Sequence, residues 1–202
     1  MPVLYLLQER LADGGLALAF RPASLWDGGW WPGILTSMFV HDGWAHVGMN
    51  ALGALAFGPP VARLLGGRAG AAAFLLFYVA CGLLATVGYG FVHPDSQGAL
   101  VGASGAVFGL LGGALRLLDG TGRVLLPLSD RRFLATSAAI MGVNAAVGLL
   151  GLSPGMEGAQ IAWEAHAFGF VGGALLMGPL TRLIGVRREP FASPADLGDP
   201  DR

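Results

Sequence analysis

Apolar runs about as long as a bilayer is thick occupy most of this 202-residue chain. A helix needs about 20 predominantly apolar residues to cross the hydrocarbon core of a membrane. Five runs meet that length, at approximately 43–65, 69–92, 100–118, 133–152 and 161–185. Only 12% of the residues are charged, whereas soluble domains carry about 25%. The sequence therefore predicts an all-α polytopic membrane protein with five full spans.

The two ends of the chain differ from these runs. Residues 1–8 are apolar but too short to span, and they lack the features of a signal peptide. We interpret them as the outer stub of a further helix whose beginning is missing from this chain. Residues 9–42 mix tryptophan and phenylalanine with proline and glycine, which suits the membrane interface. Residues 187–202 predict a short disordered cytoplasmic tail, so residues 1–186 form one predicted membrane domain.

The arginines predict the orientation, because they supply all 12 basic residues. With alternating spans, one side of the membrane holds Arg63, Arg68, Arg116, Arg123, Arg131, Arg132, Arg182, Arg187 and Arg188. The positive-inside rule makes that side cytoplasmic. Ser104, His166, His46 and Asn50 then lie near the outer ends of three helices. We expect a multi-pass protein of a bacterial cytoplasmic membrane, opening at its outer face. The basic residues form no stripe, which argues against a nucleic-acid partner.

Ser104 is the central residue of the pentapeptide GASGA at 102–106. A serine among small residues in a membrane helix is usually a packing device, and Gly105, Gly109 and Gly113 form such a small-residue stripe. The pentapeptide also resembles the Gly-x-Ser-x-Gly elbow of α/β hydrolases. That elbow needs a preceding strand, and this chain predicts only helices.

His166 changes the interpretation of Ser104. An ionisable residue within a membrane span is a functional hypothesis by default, although a backbone carbonyl could also satisfy it. A serine becomes a nucleophile when a base such as histidine takes its proton, and no carboxylate is needed in principle. Glu164 is a conceivable third member of this group, but residues two apart on a helix point in different directions. We therefore predict that Glu164 is a solvated interfacial charge. We predict an interhelical hydrogen bond from Asn144 and an inert packing role for Cys81.

His46 and Asn50 are four residues apart and therefore share one face of a helix. As metal ligands they would be incomplete, because no Cys, Asp or Glu accompanies them at ligand spacing. As N–H donors they could stabilise a developing oxyanion. The predicted chemistry requires neither a metal nor another cofactor.

Three segments together resemble the rhomboid family of intramembrane serine proteases. They are HVGMN at 46–50, GASGAVFG at 102–109, and AHAFG at 165–169 followed by Gly173. They occur in the family's order, and the resemblance covers about residues 16–185. The fold that it implies is a six-helix transmembrane bundle, here with the first helix truncated.

The resemblance also implies roles for individual residues. Ser104 would be the nucleophile and His166 the general base and acid. The oxyanion hole would consist of the Ser104 backbone N–H with His46 and Asn50. Supporting positions would be His41, Phe108, Gly102, Gly105 and Gly169.

In that fold the Ser104 helix begins below the membrane surface, in a water-filled cavity open to the outside. Residues 151–160 would form a mobile cap. The implied substrates are other transmembrane proteins, cut at small residues near the outer end of a helix that unwinds locally.

Two other classes of function stay open. One is a rhomboid-like protein that binds membrane-protein clients without cleaving them. The other is a small channel or transporter with a polar path formed by His46, Asn50, Asn144 and His166. Paired intramembrane charges or an inverted repeat would favour a transporter, and the sequence has neither.

Overall fold

A computed structural model of the protein describes residues 1–66, 70–117, 125–152 and 161–186. Within these ranges the chain forms seven α-helices and no strand, which confirms the predicted all-α class. The helices are α1 (Pro2–Gln8), α2 (Gly33–Thr36), α3 (Trp44–Leu65), α4 (Gly70–Val92), α5 (Ser104–Leu115), α6 (Arg131–Leu149) and α7 (Trp163–Leu183). Most of the predicted cap at 151–160 and the whole predicted tail at 187–202 lie outside the described residues.

Four of the long apolar runs form helices close to their predicted bounds, namely α3, α4, α6 and α7. By length and hydropathy alone, α4 and α6 are the two described helices that could each cross a membrane unaided. α3 includes Pro59 and Pro60 and polar residues in its first turns, and α7 includes Glu164, His166 and Pro179. These residues lower the mean apolarity of both helices.

The predicted span at 100–118 is wrong as a full span. α5 begins at Ser104, ends at Leu115 and has 12 residues, which is about 18 Å of helix. The residues before it are held outside the helix. The N–H of Leu100 donates to the carbonyl of Phe20 at 2.7 Å, and the N–H of Gly102 donates to Ser37 at 2.9 Å.

This short helix lies at the centre of the bundle, among α3, α4 and α7. Nine of its 12 residues are buried. Backbone that ends at membrane depth is tolerated where protein or a water-filled cavity surrounds it. Apolarity along the sequence therefore overestimated the length of α5, because burial inside a bundle demands the same residues as contact with lipid.

A buried arginine, Arg116, follows the C-terminal end of α5. The Arg116 guanidinium donates from Nε and Nη2 to the carbonyl of Leu126, at 3.0 and 2.8 Å, and from Nη1 to the carbonyl of Ala174 at 3.0 Å. Its charge is thus surrounded by carbonyl oxygens although it is 8% exposed. These bonds join α5, α7 and the segment that leads into α6.

The amino-terminal helix α1 holds the loop that precedes α3. Nε2 of Gln8 donates to the carbonyls of His41 and Gly14, at 2.6 and 2.8 Å. Its Oε1 accepts the backbone N–H of His41 at 2.9 Å. One side chain thus satisfies both backbone groups of His41, five residues before His46. The loop at 9–42 also keeps Trp26, Trp30 and Trp31 exposed, and its location at the membrane interface stays a prediction.

Replacing Gln8 by alanine is expected to lower the free energy of unfolding by about 1–3 kcal/mol, because a buried N–H and a buried carbonyl lose their partner. Thermal unfolding of the purified protein in detergent micelles measures this loss. Gln97→Ala is the matched control, since Gln97 is exposed. Equal stability of the two variants would contradict a structural role for Gln8.

Candidate active site

Ser104 and His166 lie side by side at the beginnings of two helices. Ser104 is the first residue of α5, and His166 is the fourth residue of α7. Nε2 of His166 lies 2.8 Å from Oγ of Ser104. A base at that distance is within reach of the hydroxyl proton. The structure thus brings together the two side chains that the sequence singled out for nucleophilic chemistry.

A seam of glycines allows α5 and α7 to approach closely enough for this contact. A methyl group added at Gly169 would overlap the backbone carbonyl of Gly105, and one added at Gly173 would overlap that of Gly109. Small residues at four-residue spacing let helix backbones touch in this way. The predicted glycine packing stripe is therefore present, and it sets the separation of the helices that carry Ser104 and His166.

The ring of Phe108 stacks on the imidazole of His166. The two ring centroids are 4.2 Å apart, and the ring planes differ by 8°. Phe108 follows Ser104 by four residues on α5, so it lies on the same helix face. This stack restricts rotation of the imidazole about an axis in the plane of its ring.

Asn144 of α6 contacts the other side of the same imidazole. Its Oδ1 lies 2.8 Å from Nδ1 of His166, and its Nδ2 donates to the carbonyl of Trp163 at 3.0 Å. The prediction of an interhelical hydrogen bond from Asn144 is confirmed. The sequence did not indicate its partner, although Asn144 carries the one amide side chain of α6.

The beginning of α5 brings the first backbone N–H groups of a helix to Ser104. The first N–H groups of an α-helix have no partner four residues earlier, and Ser104 opens α5. Gly102 just before it has a φ of +113°, a left-handed conformation that favours glycine. A methyl group there would also overlap the His46 imidazole, so glycine allows this ring to approach the beginning of α5.

His46 and Asn50 lie one turn apart on α3, both buried. Nδ2 of Asn50 donates to the carbonyl of His46 at 3.0 Å, which occupies one of its two amide hydrogens. Nδ1 of His46 lies 2.6 Å from Oδ1 of Asp42. A carboxylate only accepts hydrogen bonds, so Nδ1 carries a proton and donates it. Sequence reasoning missed Asp42, although its four-residue spacing from His46 was a signal.

One cavity joins these groups. It has a volume of about 780 Å³, and its lining includes side chains from α3, α5, α6 and α7. Its polar lining comprises Asp42, His46, Asn50, Ser104, Asn144 and His166 together with Ser37 and Thr86. The rest of the wall is largely apolar, with Met49 and Phe57 on α3 and Ile140 and Val147 on α6. Such a cleft could accept an extended peptide segment beside the serine hydroxyl.

The family model of the Rhomboid domain matches residues 27–182. The chain belongs to the rhomboid family. It is also similar to a Bacillus subtilis (strain 168) protein named "Putative rhomboid protease YdcA", with 34% identity over 82 residues. That alignment covers 41% of this chain and 38% of the relative. The chain thus matches about two fifths of the relative's length. Rhomboid proteins are integral membrane proteins, and this chain is one of them.

His41 lies beside the site of this rhomboid without reaching the serine. Its ring packs edge-on against that of His46, with centroids 5.1 Å apart. Neither ring nitrogen forms a hydrogen bond of normal geometry within the described residues. Burial, and secondarily the nearby His46, lowers the pKa of His41 from 6.5 to about 4. His41 is therefore neutral in the folded rhomboid at neutral pH.

This lowered pKa predicts a stability that depends on pH. The unfolded chain takes up a proton on His41 near pH 6.5, whereas the folded protein does so only near pH 4. Folding stability contributed by this group therefore falls as the pH drops through that window, by about 3 kcal/mol in total. We expect His41→Leu to lose less stability than the unchanged protein between pH 7.5 and pH 4. Parallel unfolding curves for the two proteins would contradict this assignment.

Glu164, in the first turn of α7, lies beside a histidine at the end of α4. Glu164 was predicted to be a solvated charge, but its Oε1 lies 3.2 Å from Nε2 of His93. This pair joins the first turn of α7 to the end of α4. Within the described residues, no group of three or more His, Cys, Asp and Glu side chains could hold a metal ion.

Proposed function

We propose that this rhomboid is an intramembrane serine endopeptidase that cuts other membrane proteins in or near their transmembrane segments. The observation that carries the proposal is the 2.8 Å contact between Oγ of Ser104 and Nε2 of His166. It occurs in a cavity between helices of an integral membrane protein. Membership of the rhomboid family supports the same class of reaction.

The reaction begins when Oγ of Ser104 attacks the scissile carbonyl carbon, while its proton passes to Nε2 of His166. The C–N bond then breaks, and the imidazolium gives that proton to the departing amine. This leaves an ester between Ser104 and the substrate. A water molecule attacks the ester with His166 again as the base, which releases the carboxylic acid and restores the hydroxyl.

The oxyanion of each tetrahedral intermediate needs N–H donors that are already in position. We assign this role to the backbone N–H of Ser104, to the second amide hydrogen of Asn50 and to Nε2 of His46. Since Nδ1 of His46 already donates to Asp42, Nε2 can donate only if the ring carries both protons. Asp42 would then supply the compensating negative charge next to the imidazolium.

The shape of the cavity supports a transmembrane substrate. Its side walls include apolar residues of α3 and α6, and these helices also expose large apolar side chains such as Leu52, Leu55 and Val143. A substrate helix arriving through the bilayer meets apolar surface up to the point where the polar groups begin. The family resemblance implies that the cut segment is locally unwound and carries small side chains beside Ser104.

The arginine distribution supports an active site that opens at the outer face of a bacterial cytoplasmic membrane. Ser104 begins α5 and His166 lies in the first turn of α7. Both positions are at the ends opposite to Arg116 and Arg182. Substrates would accordingly be cut near the outer ends of their transmembrane segments.

Labelling with a serine-directed fluorophosphonate tests this function. The purified, folded protein is expected to be labelled at Ser104 and to cleave a model transmembrane substrate, and Ser104→Ala should do neither. Thermal unfolding shows that both proteins are folded. If the unchanged, folded protein neither labels nor cleaves, the protease assignment fails. A rhomboid-like binder of membrane-protein clients would then be the better description.

A further inference from the structure

Asn144 connects α6 to the proposed catalytic pair. Of the 19 residues of α6, only Phe133 and Asn144 are buried. Phe133 packs in an apolar cluster with Leu111 and Phe170, toward the inner half of the bundle. Asn144 instead contacts His166 and Trp163 of α7 through both ends of its amide group.

The direction of this amide follows from its partners. A backbone carbonyl only accepts hydrogen bonds, so the atom of Asn144 that faces the Trp163 carbonyl must be the donor Nδ2. The amide oxygen therefore faces Nδ1 of His166, at 2.8 Å. An amide oxygen only accepts, so Nδ1 carries the hydrogen. In the neutral imidazole Nε2 then has the free lone pair, 2.8 Å from Oγ of Ser104.

We propose that Asn144 is a positioning residue that holds His166 in the Nδ1–H tautomer, and so completes a Ser104–His166–Asn144 triad across three helices. The proposal rests on the proposed function for its kinetic consequence, but the tautomer itself is a property of the resting protein. The base is competent only in this tautomer, because the other one places a hydrogen between Nε2 and the serine hydroxyl.

The hydrogen bond between Asn144 and His166 requires α6 and α7 to lie close together. A side chain on Gly148 would overlap that of Trp163, and Gly148 follows Asn144 by four residues on the same face of α6. The triad therefore depends on α6 remaining against the first turn of α7.

Asn144→Leu tests the proposal, because leucine has a similar volume and no polar atoms. We expect the rate constant for fluorophosphonate labelling of Ser104, and kcat for a model substrate, to fall by about tenfold to a hundredfold, with KM changed less than about twofold. ¹⁵N spectra of histidine-labelled protein identify the ring nitrogen that carries the hydrogen. The His166 signals are assigned by their loss in His166→Ala. We expect Nδ1–H in the unchanged protein and a mixture of tautomers in Asn144→Leu.

Asn144→Asp separates positioning from simple packing. A carboxylate keeps an acceptor opposite Nδ1 although it loses the donor to Trp163, so the Nδ1–H tautomer and most of the labelling rate should be retained. A purely structural role would make this buried charge at least as damaging as leucine. Loss of activity in Asn144→Asp equal to that in Asn144→Leu, or an unchanged tautomer in Asn144→Leu, would overturn the proposal.

Gly148→Leu gives an independent variant that leaves every hydrogen-bonding group intact but pushes α6 away from α7. It should reproduce the tautomer mixture of Asn144→Leu, whereas Gly142→Leu should not, because open space surrounds Gly142. Failure of the proposed function is distinguishable from failure of this inference. The unchanged protein would then remain unlabelled by the fluorophosphonate, while the nitrogen spectra would still report the tautomer.

Discussion

Replacing His166 by alanine is expected to lower kcat for a model transmembrane substrate at least a hundredfold, and up to about 10⁴-fold. Oγ of Ser104 lies 2.8 Å from Nε2 of His166, and no other basic side chain among the described residues forms a hydrogen bond with it. The variant should still be inserted in the membrane and folded, because His166 contacts a cavity rather than the apolar core. Cleavage assays and fluorophosphonate labelling both measure the loss.

His93→Ala is the matched control for this variant. His93 lies beside the first turn of α7, where it pairs with Glu164, and no hydrogen bond joins it to Ser104. The control should retain most of the activity. Full activity of folded His166→Ala would remove this histidine from the mechanism, whatever the effect of changing Ser104.

A methyl group at Gly169 is expected to lower both the stability and the activity of the protein. In Gly169→Ala the added carbon would overlap backbone atoms of Gly105, which cannot rotate away as a side chain can. Overpacking of this kind costs about 1–3 kcal/mol, occasionally more. Because relief requires α5 and α7 to separate, Ser104 and His166 should also move apart. We therefore expect a lower midpoint of thermal unfolding together with slower fluorophosphonate labelling.

Gly142→Ala makes the same substitution where no atom lies within 4 Å of the added carbon. Alanine favours a helix over glycine by about 0.5–1 kcal/mol, so this control should be as stable as the unchanged protein or slightly more stable. Equal unfolding midpoints for Gly169→Ala and Gly142→Ala would show that the glycine seam does not hold the two helices together.

The long helices could be predicted from the sequence because their apolar runs are continuous. The predicted starts of α3 and α4, at residues 43 and 69, lie within one residue of Trp44 and Gly70. α5 could not be predicted in the same way. Its apolar residues pack against other helices, and backbone hydrogen bonds to Phe20 and Ser37 hold the residues before Ser104 outside the helix. No local sequence pattern contains these contacts.

The residues of the candidate site could likewise be predicted from the sequence only in part. Ser104 and His166 stood out because polar residues are costly in apolar helices, and His46 and Asn50 because of their spacing. Asn144 was visible as a buried hydrogen-bonding residue but not as the partner of His166. Gln8 gave no signal in the sequence, because its importance comes from the backbone of His41, 33 residues away.

The sequence by itself determined the class of protein, the family motifs and the identity of the reactive groups, because composition, hydropathy and short spacing are local properties. Only the tertiary structure decided which groups meet. The 2.8 Å contacts of His166 with Ser104 and with Asn144 join three helices that are separate in the chain. The distance between α5 and α7 depends on contact between the backbones of their glycines. That contact forms only when the helices pack.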